Sequence, residues 1–185
     1  KSDNGQDDAG LTTDFDQPGF TDGADGYLPN HRRHRFKLWG AYQLNDWLTI
    51  GGKFIMESPR KQGCVGEHAN DSFAWYYGAA AWYCGGELTP RGSQMETDWT
   101  KTMDLTFSMK PSISDDMPGD LTFRVDIFNV FNSHAILDRW EVGDQGFTSD
   151  LAFGGTTGPT ADPDYGKPTR FTTPRHVRFS ASYAF

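Results

Sequence analysis

The chain has no long hydrophobic run. Its best candidate, the stretch from Phe73 to Cys84, is rich in Gly, Ala and Tyr and falls short of the roughly 18 apolar residues a membrane-crossing helix requires. A mean hydropathy of -0.64 agrees with this. Barrel strands stay open, because they need only every second residue apolar. Basic residues are scarce: 17 Lys and Arg against 25 Asp and Glu give a net charge of -8, a poor balance for a nucleic-acid partner. No basic segment followed by an apolar stretch opens the sequence, so Lys1 reads as an internal start and not as the beginning of a secretory precursor. No Ser/His/acid constellation, His/Cys metal spacing or phosphate-cradling Gly loop stands out, so the chain is not expected to be an enzyme. His31 and His34 are three apart, which in a strand sends them to opposite faces and argues against a metal pair. There are only two cysteines, Cys64 and Cys84. They flank one Gly- and aromatic-rich segment, a placement that suits a disulfide in an oxidising compartment.

What the chain does have is 21 Gly, 15% aromatic residues and a two-residue hydrophobic period. Over 33–44, Phe36, Leu38, Gly40, Tyr42 and Leu44 fall on one face, while Arg35, Lys37, Trp39, Ala41 and Gln43 fall on the other. A short Asn45-Asp46 turn leads into 47–58, where Leu48, Ile50, Gly52, Phe54 and Met56 oppose Thr49, Gly51, Lys53, Ile55 and Glu57. The pattern returns over 98–110, 121–132 and 175–185, weakening beyond Phe128 as it would at a bulge. Lys101 falls on the oily side near one strand end, where it can snorkel to an interface. Arg35, Lys37, Lys53, Glu57, Asp104, Arg124, Asp126 and Arg178 all belong to the polar side.

The connections alternate in length. Segments 1–30, 59–97 and 133–174 are long and carry no strand pattern of their own, whereas the other turns are short. Outer-membrane barrels have this asymmetry, with short periplasmic turns and long extracellular loops. A twelve-residue strand reaches roughly 40 Å and projects to about 28 Å at a tilt near 45°, close to a bilayer core. These features predict an all-β, antiparallel transmembrane barrel. Five strands do not close a barrel, so other strands must complete the cylinder. The competing fold is a soluble β-sandwich with its oily faces packed on each other.

Two segments carry a family resemblance. The last eleven residues, Arg175 to Phe185, place Val177, Phe179, Ala181, Tyr183 and Phe185 in alternation up to an aromatic end. They resemble the signal by which the barrel-assembly machinery recognises outer-membrane proteins. Leu121-Thr122-Phe123-Arg124-Val125-Asp126-Ile127-Phe128-Asn129-Val130-Phe131-Asn132 looks like the penultimate strand of TonB-dependent receptors. With His34-Arg35-Phe36-Lys37-Leu38-Trp39-Gly40 and Pro174-Arg175, the chain is similar to their Oar-like group. That resemblance implies the last five strands of a larger, 22-stranded barrel in a bacterial outer membrane. It also implies an N-terminal barrel portion and plug on the same or a nicked chain, and contact with the TonB complex through that plug. The implied function is uptake or binding of a ligand. The alternative is a non-transporting barrel used for adhesion or for anchoring a surface partner such as a lipoprotein.

The loops leave further readings open. Trp75, Tyr76, Tyr77, Trp82 and Tyr83, between the two cysteines, either stack on an amphipathic ligand or form the loop's own small core. Asp3, Asn4, Asp7 and Asp8 offer hard oxygens for Ca²⁺, or make up a solvated, self-repelling loop; no cofactor is otherwise required. His31-Arg32-Arg33-His34-Arg35 either binds lipopolysaccharide phosphates at the bilayer surface or pairs with the Asp-rich loop.

Overall fold

The computed structural model describes residues 2–3, 21–70, 81–111, 119–145 and 160–184. These fall into two compact units, one of Arg33–Ser58, Trp99–Ala135 and Phe171–Phe185, the other of Lys1–Arg32, Pro59–Asp98 and Ile136–Arg170. The first unit is a five-stranded antiparallel sheet of β1 (Arg35–Asn45), β2 (Leu48–Glu57), β3 (Thr100–Met109), β4 (Asp120–Phe128) and β5 (His176–Ala184). Strands adjacent in sequence are adjacent in the sheet, which makes an up-and-down meander. The all-β, antiparallel class expected from the alternation is what the structure shows.

The register turns the sequence alternation into continuous rows. Tyr42 pairs with Ile50, Ile50 with Phe107, Phe107 with Val125 and Val125 with Phe179, so one apolar row crosses all five strands. Parallel rows run through Leu38, Phe54 and Met103 on one side and through Met109, Phe123 and Ala181 on the other. From the Phe36–Met56 pair to the Leu121–Tyr183 pair this face extends about 33 Å along the strands, or about 24 Å at a 45° tilt, matching an outer-membrane apolar band. Within this unit, among the described residues, no second layer covers it: Leu38 is 61% exposed, Tyr42 70% and Phe179 77%. A sandwich would bury these side chains, and among the described residues of this unit they meet no facing layer.

Local chemistry sets the strand ends. Asn45 Oδ1 accepts hydrogen bonds from the N–H groups of Trp47 (3.1 Å) and Leu48 (2.8 Å), closing the β1–β2 turn through a side chain suited to that task. The segment expected to run through 132 ends at Phe128, where the alternation weakens. Asn129 and Asn132 take positive φ values of 50° and 49°, a left-handed backbone that Asn tolerates and a strand does not. Asn129 is buried; its amide donates to the carbonyls of Ser133 (3.0 Å) and Thr173 (2.8 Å), and its Oδ1 accepts from Ser133 N (2.9 Å). The Asn residues of the Phe-Asn-Val-Phe-Asn segment therefore end the strand.

The second unit is not the patternless chain expected of the long connections. It holds two-residue ribbons, pairing Lys61–Gln62 with Met95–Glu96, Tyr83–Cys84 with Glu87–Leu88 and Asp144–Gln145 with Thr160–Ala161. Its buried residues include Ala24, Cys64 and Ala81 but also Gln62, Glu67, Thr89 and Asp144. Such a core is held by hydrogen bonds between loops, for which a hydrophobic period gives no sign.

Candidate functional site

The polar face of the sheet is built from the alternate residues of the same strands. Asp126 on β4 is 1% exposed and lies at its centre. Its Oδ1 accepts from Thr106 Oγ1 on β3 (2.6 Å) and Arg124 Nε (2.8 Å), and its Oδ2 from Arg178 Nη2 on β5 (2.8 Å). Three strands are thereby tied through one carboxylate. Phe128 extends the cluster, with the His176 ring stacked on it at 4.6 Å and the Arg178 guanidinium 5.3 Å from its centroid, a cation–π geometry. Asp104 accepts from Lys53 Nζ (3.1 Å) and from Asn129 N (2.9 Å), and Arg35 pairs with Glu57 at 2.6 Å. The face is thus an ordered array of alternating charge, fitted to line a wet interior. It offers fixed dipoles and ion pairs for binding and positioning.

In the other unit a disulfide joins Cys64 and Cys84, with Cα atoms 6.1 Å apart. Gly143 lies directly on it: a Cβ there would overlap both sulfur atoms. Gly143 N donates to Val65 O (2.8 Å), Val65 N to Glu141 O (2.9 Å) and Asp162 N to Gly143 O (2.8 Å), so the third long connection is threaded beside the second. Asp144 locks the crossing by accepting from Glu67 N (3.2 Å) and Gly85 N (3.1 Å). Nearby, Arg60 Nη2 (3.0 Å) and Gln62 Nε2 (2.7 Å) converge on Asp138 Oδ1, and Gly63 N donates to Glu141 Oε1 (2.7 Å).

Two carboxyls and one phenol of this unit are pushed up by their surroundings. Glu67 is 2% exposed and neither carboxyl oxygen has a hydrogen-bond partner; burial and then the charge of Asp144 raise its pKa. Burial also raises Glu141, against the Gly63 N–H bond that favours the charged form, with Asp138 adding repulsion. The Tyr83 hydroxyl is raised by burial and by its bond and charge interaction with Asp22.

The residues singled out from sequence are spread over both units. Val177, Phe179, Ala181 and Tyr183 lie on β5 and join the apolar rows; Phe185 is outside the described residues. Trp75, Tyr76 and Tyr77 are also outside them. Trp82 packs its ring against Gly63, and Tyr83 meets the His68 ring in a tilted contact at 4.3 Å while its hydroxyl reaches Asp22 at 3.4 Å. Asp3 pairs through its backbone with Asp25, whereas Asn4, Asp7 and Asp8 are not described. Among the described residues, no group of three His, Cys, Asp or Glu side chains could hold a metal ion. The His31 ring packs against Tyr27 at 4.8 Å. Sequence reading missed Glu67, Asp138 and Asp144, loop acids in no recognisable spacing whose roles come only from the crossing of loops.

With two faces of opposite character on one open meander, the comparison with known proteins becomes interpretable. The chain is similar to a TonB-dependent transporter. The relative is the TonB-dependent transporter Oar of Myxococcus xanthus, 26% identical over 209 residues that take in 98% of this chain. The chain spans 19% of the transporter's length. No family model matches, and no solved structure does. The aligned stretch takes in strands and connections alike, and it supports the TonB-dependent receptors as the group to which this barrel-like sheet is related.

Proposed function

We propose that the chain is the last part of the wall, with its extracellular loops, of a TonB-dependent receptor of the Oar-like group in a bacterial outer membrane. The observation that carries this reading is the pairing of an uncovered apolar band, about 24 Å high at a 45° tilt, with an ion-paired polar face on the same five strands. Sheet edges are untenable in hydrocarbon, so β1 and β5 are joined by further strands of the receptor, about 22 in all on the transporter pattern. The polar face then lines the lumen around a plug, and the plug contacts the TonB complex. The long connections 1–30, 59–97 and 133–174 are then extracellular, where an oxidising environment maintains the Cys64–Cys84 disulfide.

The similarity to a transporter favours ligand uptake over passive anchoring. The ligand is met first by the loop unit, and Trp75, Tyr76 and Tyr77 are the rings proposed to stack on it. The test uses the intact protein in its own cells. It is expected in the outer-membrane fraction with heat-modifiable gel mobility, with the 59–97 segment labelled by impermeant reagents from outside, and cross-linked to TonB. A surface-exposed, folded barrel that never cross-links to TonB would instead select the adhesion or anchoring role.

A further inference from the structure

At the centre of the polar face one carboxylate serves two guanidinium groups. Asp126 Oδ1 accepts from Thr106 and Arg124, and its Oδ2 from both Nε (3.1 Å) and Nη2 (2.8 Å) of Arg178, which fills the roughly four acceptor sites a carboxylate offers. One positive charge is left without a counter-ion. Asp104, also on this face, does not supply it, because Lys53 Nζ and Asn129 N already engage its oxygens. The Asp126 side chain is only 2% exposed, whereas those of Arg124 and Arg178 are 51% and 59% exposed. Among the described residues, both Nη groups of Arg124 and Nη1 of Arg178 make no hydrogen bond.

Both guanidinium groups border a recess of about 400 Å³ whose floor is the row Ala41, Gly51 and Thr106, leading to Asp126. A Cβ added at Gly51 would meet nothing nearer than 3.7 Å. Packing within the sheet therefore does not require glycine there, and the missing side chain keeps the recess open. The row lies at mid-height of the wall: Ala41 is five residues from Phe36, and Asp126 five from Leu121, the two ends of the apolar band. An unbalanced cation held so far from either rim attracts an anion from the wet interior.

We propose that this recess binds the carboxylate of a small anionic solute midway along the lumen, with the unused N–H groups of Arg124 and Arg178 as its donors. This rests on the reading that the sheet is the wall of an outer-membrane receptor with its polar face inward. A carboxylate matches the site in shape and charge: it is planar, as each guanidinium fork is, and its single charge equals the one left over. A phosphate dianion would exceed it. Asp126 acts as a positioning residue, holding the two forks beside one another while Thr106 fixes its own orientation.

The test is fluorine NMR of para-fluorobenzoate titrated into the intact receptor in a non-ionic detergent, with uncharged para-fluorobenzamide as the measure of partition into micelles. Saturable binding is expected for the carboxylate and not for the amide, and it should weaken as salt is raised. Arg124→Gln or Arg178→Gln brings the cluster to zero net charge, and each should weaken binding about ten-fold, equivalent to ~1.4 kcal/mol. Gly51→Val keeps every charge in place and should weaken binding by filling the recess. Lys37→Gln, on the same face but nearer the Phe36 rim, should bind as the parent does. Equal affinity of the arginine variants and the parent, with heat-modifiable mobility showing both folded, would overturn the inference, as would the absence of saturable carboxylate binding to the parent. Tighter binding of para-fluorophenyl phosphate would overturn the assignment to a carboxylate. Cell fractionation separates the two levels: a receptor in the outer membrane that binds no fluorobenzoate loses only this inference, whereas a protein absent from that membrane loses the barrel reading itself.

Discussion

Asp126 and Glu67 are both buried carboxylates, but their surroundings act in opposite directions. Asp126 is met by a hydroxyl and two guanidinium groups, and losing its charge leaves Arg124 and Arg178 facing one another without a counter-ion. Asp126→Asn is therefore expected to destabilise the intact barrel by about 2 kcal/mol, the scale of a charged hydrogen bond, in urea unfolding from phospholipid vesicles. Glu67 has no partner for either oxygen, and its pKa is raised above 4.5. Folding favours its protonated form relative to the unfolded chain, through burial first and the charge of Asp144 second. The associated stability is complete below the unfolded value and is lost as pH rises through the raised folded value. Glu67→Gln should thus stabilise the loop unit at pH 8 by about 1 to 2 kcal/mol and have little effect near pH 4, as read by hydrogen exchange of residues 60–70.

At the scale of elements, the crossing of the second and third connections depends on contact between a glycine and a disulfide. Any side chain at Gly143 would have to displace Cys64 and Cys84. Gly143→Ala should cost about 1 to 3 kcal/mol of local stability, measured by limited proteolysis, and less in a Cys64→Ser/Cys84→Ser background where the sulfurs are gone. Removing the bridge alone, which spans a separation of 20 residues, should cost about 3 kcal/mol in the chain-entropy picture. These contacts mark the boundary of what was legible in the sequence. Strand alternation could be read because each row of the sheet repeats it, and Arg124-Val125-Asp126 announced a charged inner face. The segment read to 132 overran β4, which ends at Phe128 where the alternation weakens, because the left-handed backbone of two asparagines looks the same as a bulge in a hydrophobic period. The loop core escaped notice because Gly143 on a disulfide and Asp144 on two amides are meetings of distant segments, and single positions do not encode them.

For the whole molecule, the apolar band makes a prediction about depth. Val125 lies in the row near mid-height, whereas Phe36 lies at the rim. Val125→Arg should cost about 2 to 4 kcal/mol in vesicle unfolding of the intact protein, and Phe36→Arg no more than about 1 kcal/mol. Equal penalties at both positions would mean that no hydrocarbon slab surrounds the sheet.

The register described for β3 also limits how such a chain can change in length. One residue inserted after Met103 would reverse the parity of everything beyond it, turning Asp104 and Thr106 toward lipid and Leu105 and Phe107 toward the wet interior. Two inserted residues would restore it. Length variation among relatives should therefore enter the spanning segments in even steps and accumulate freely only in the long connections, where no slab dictates orientation.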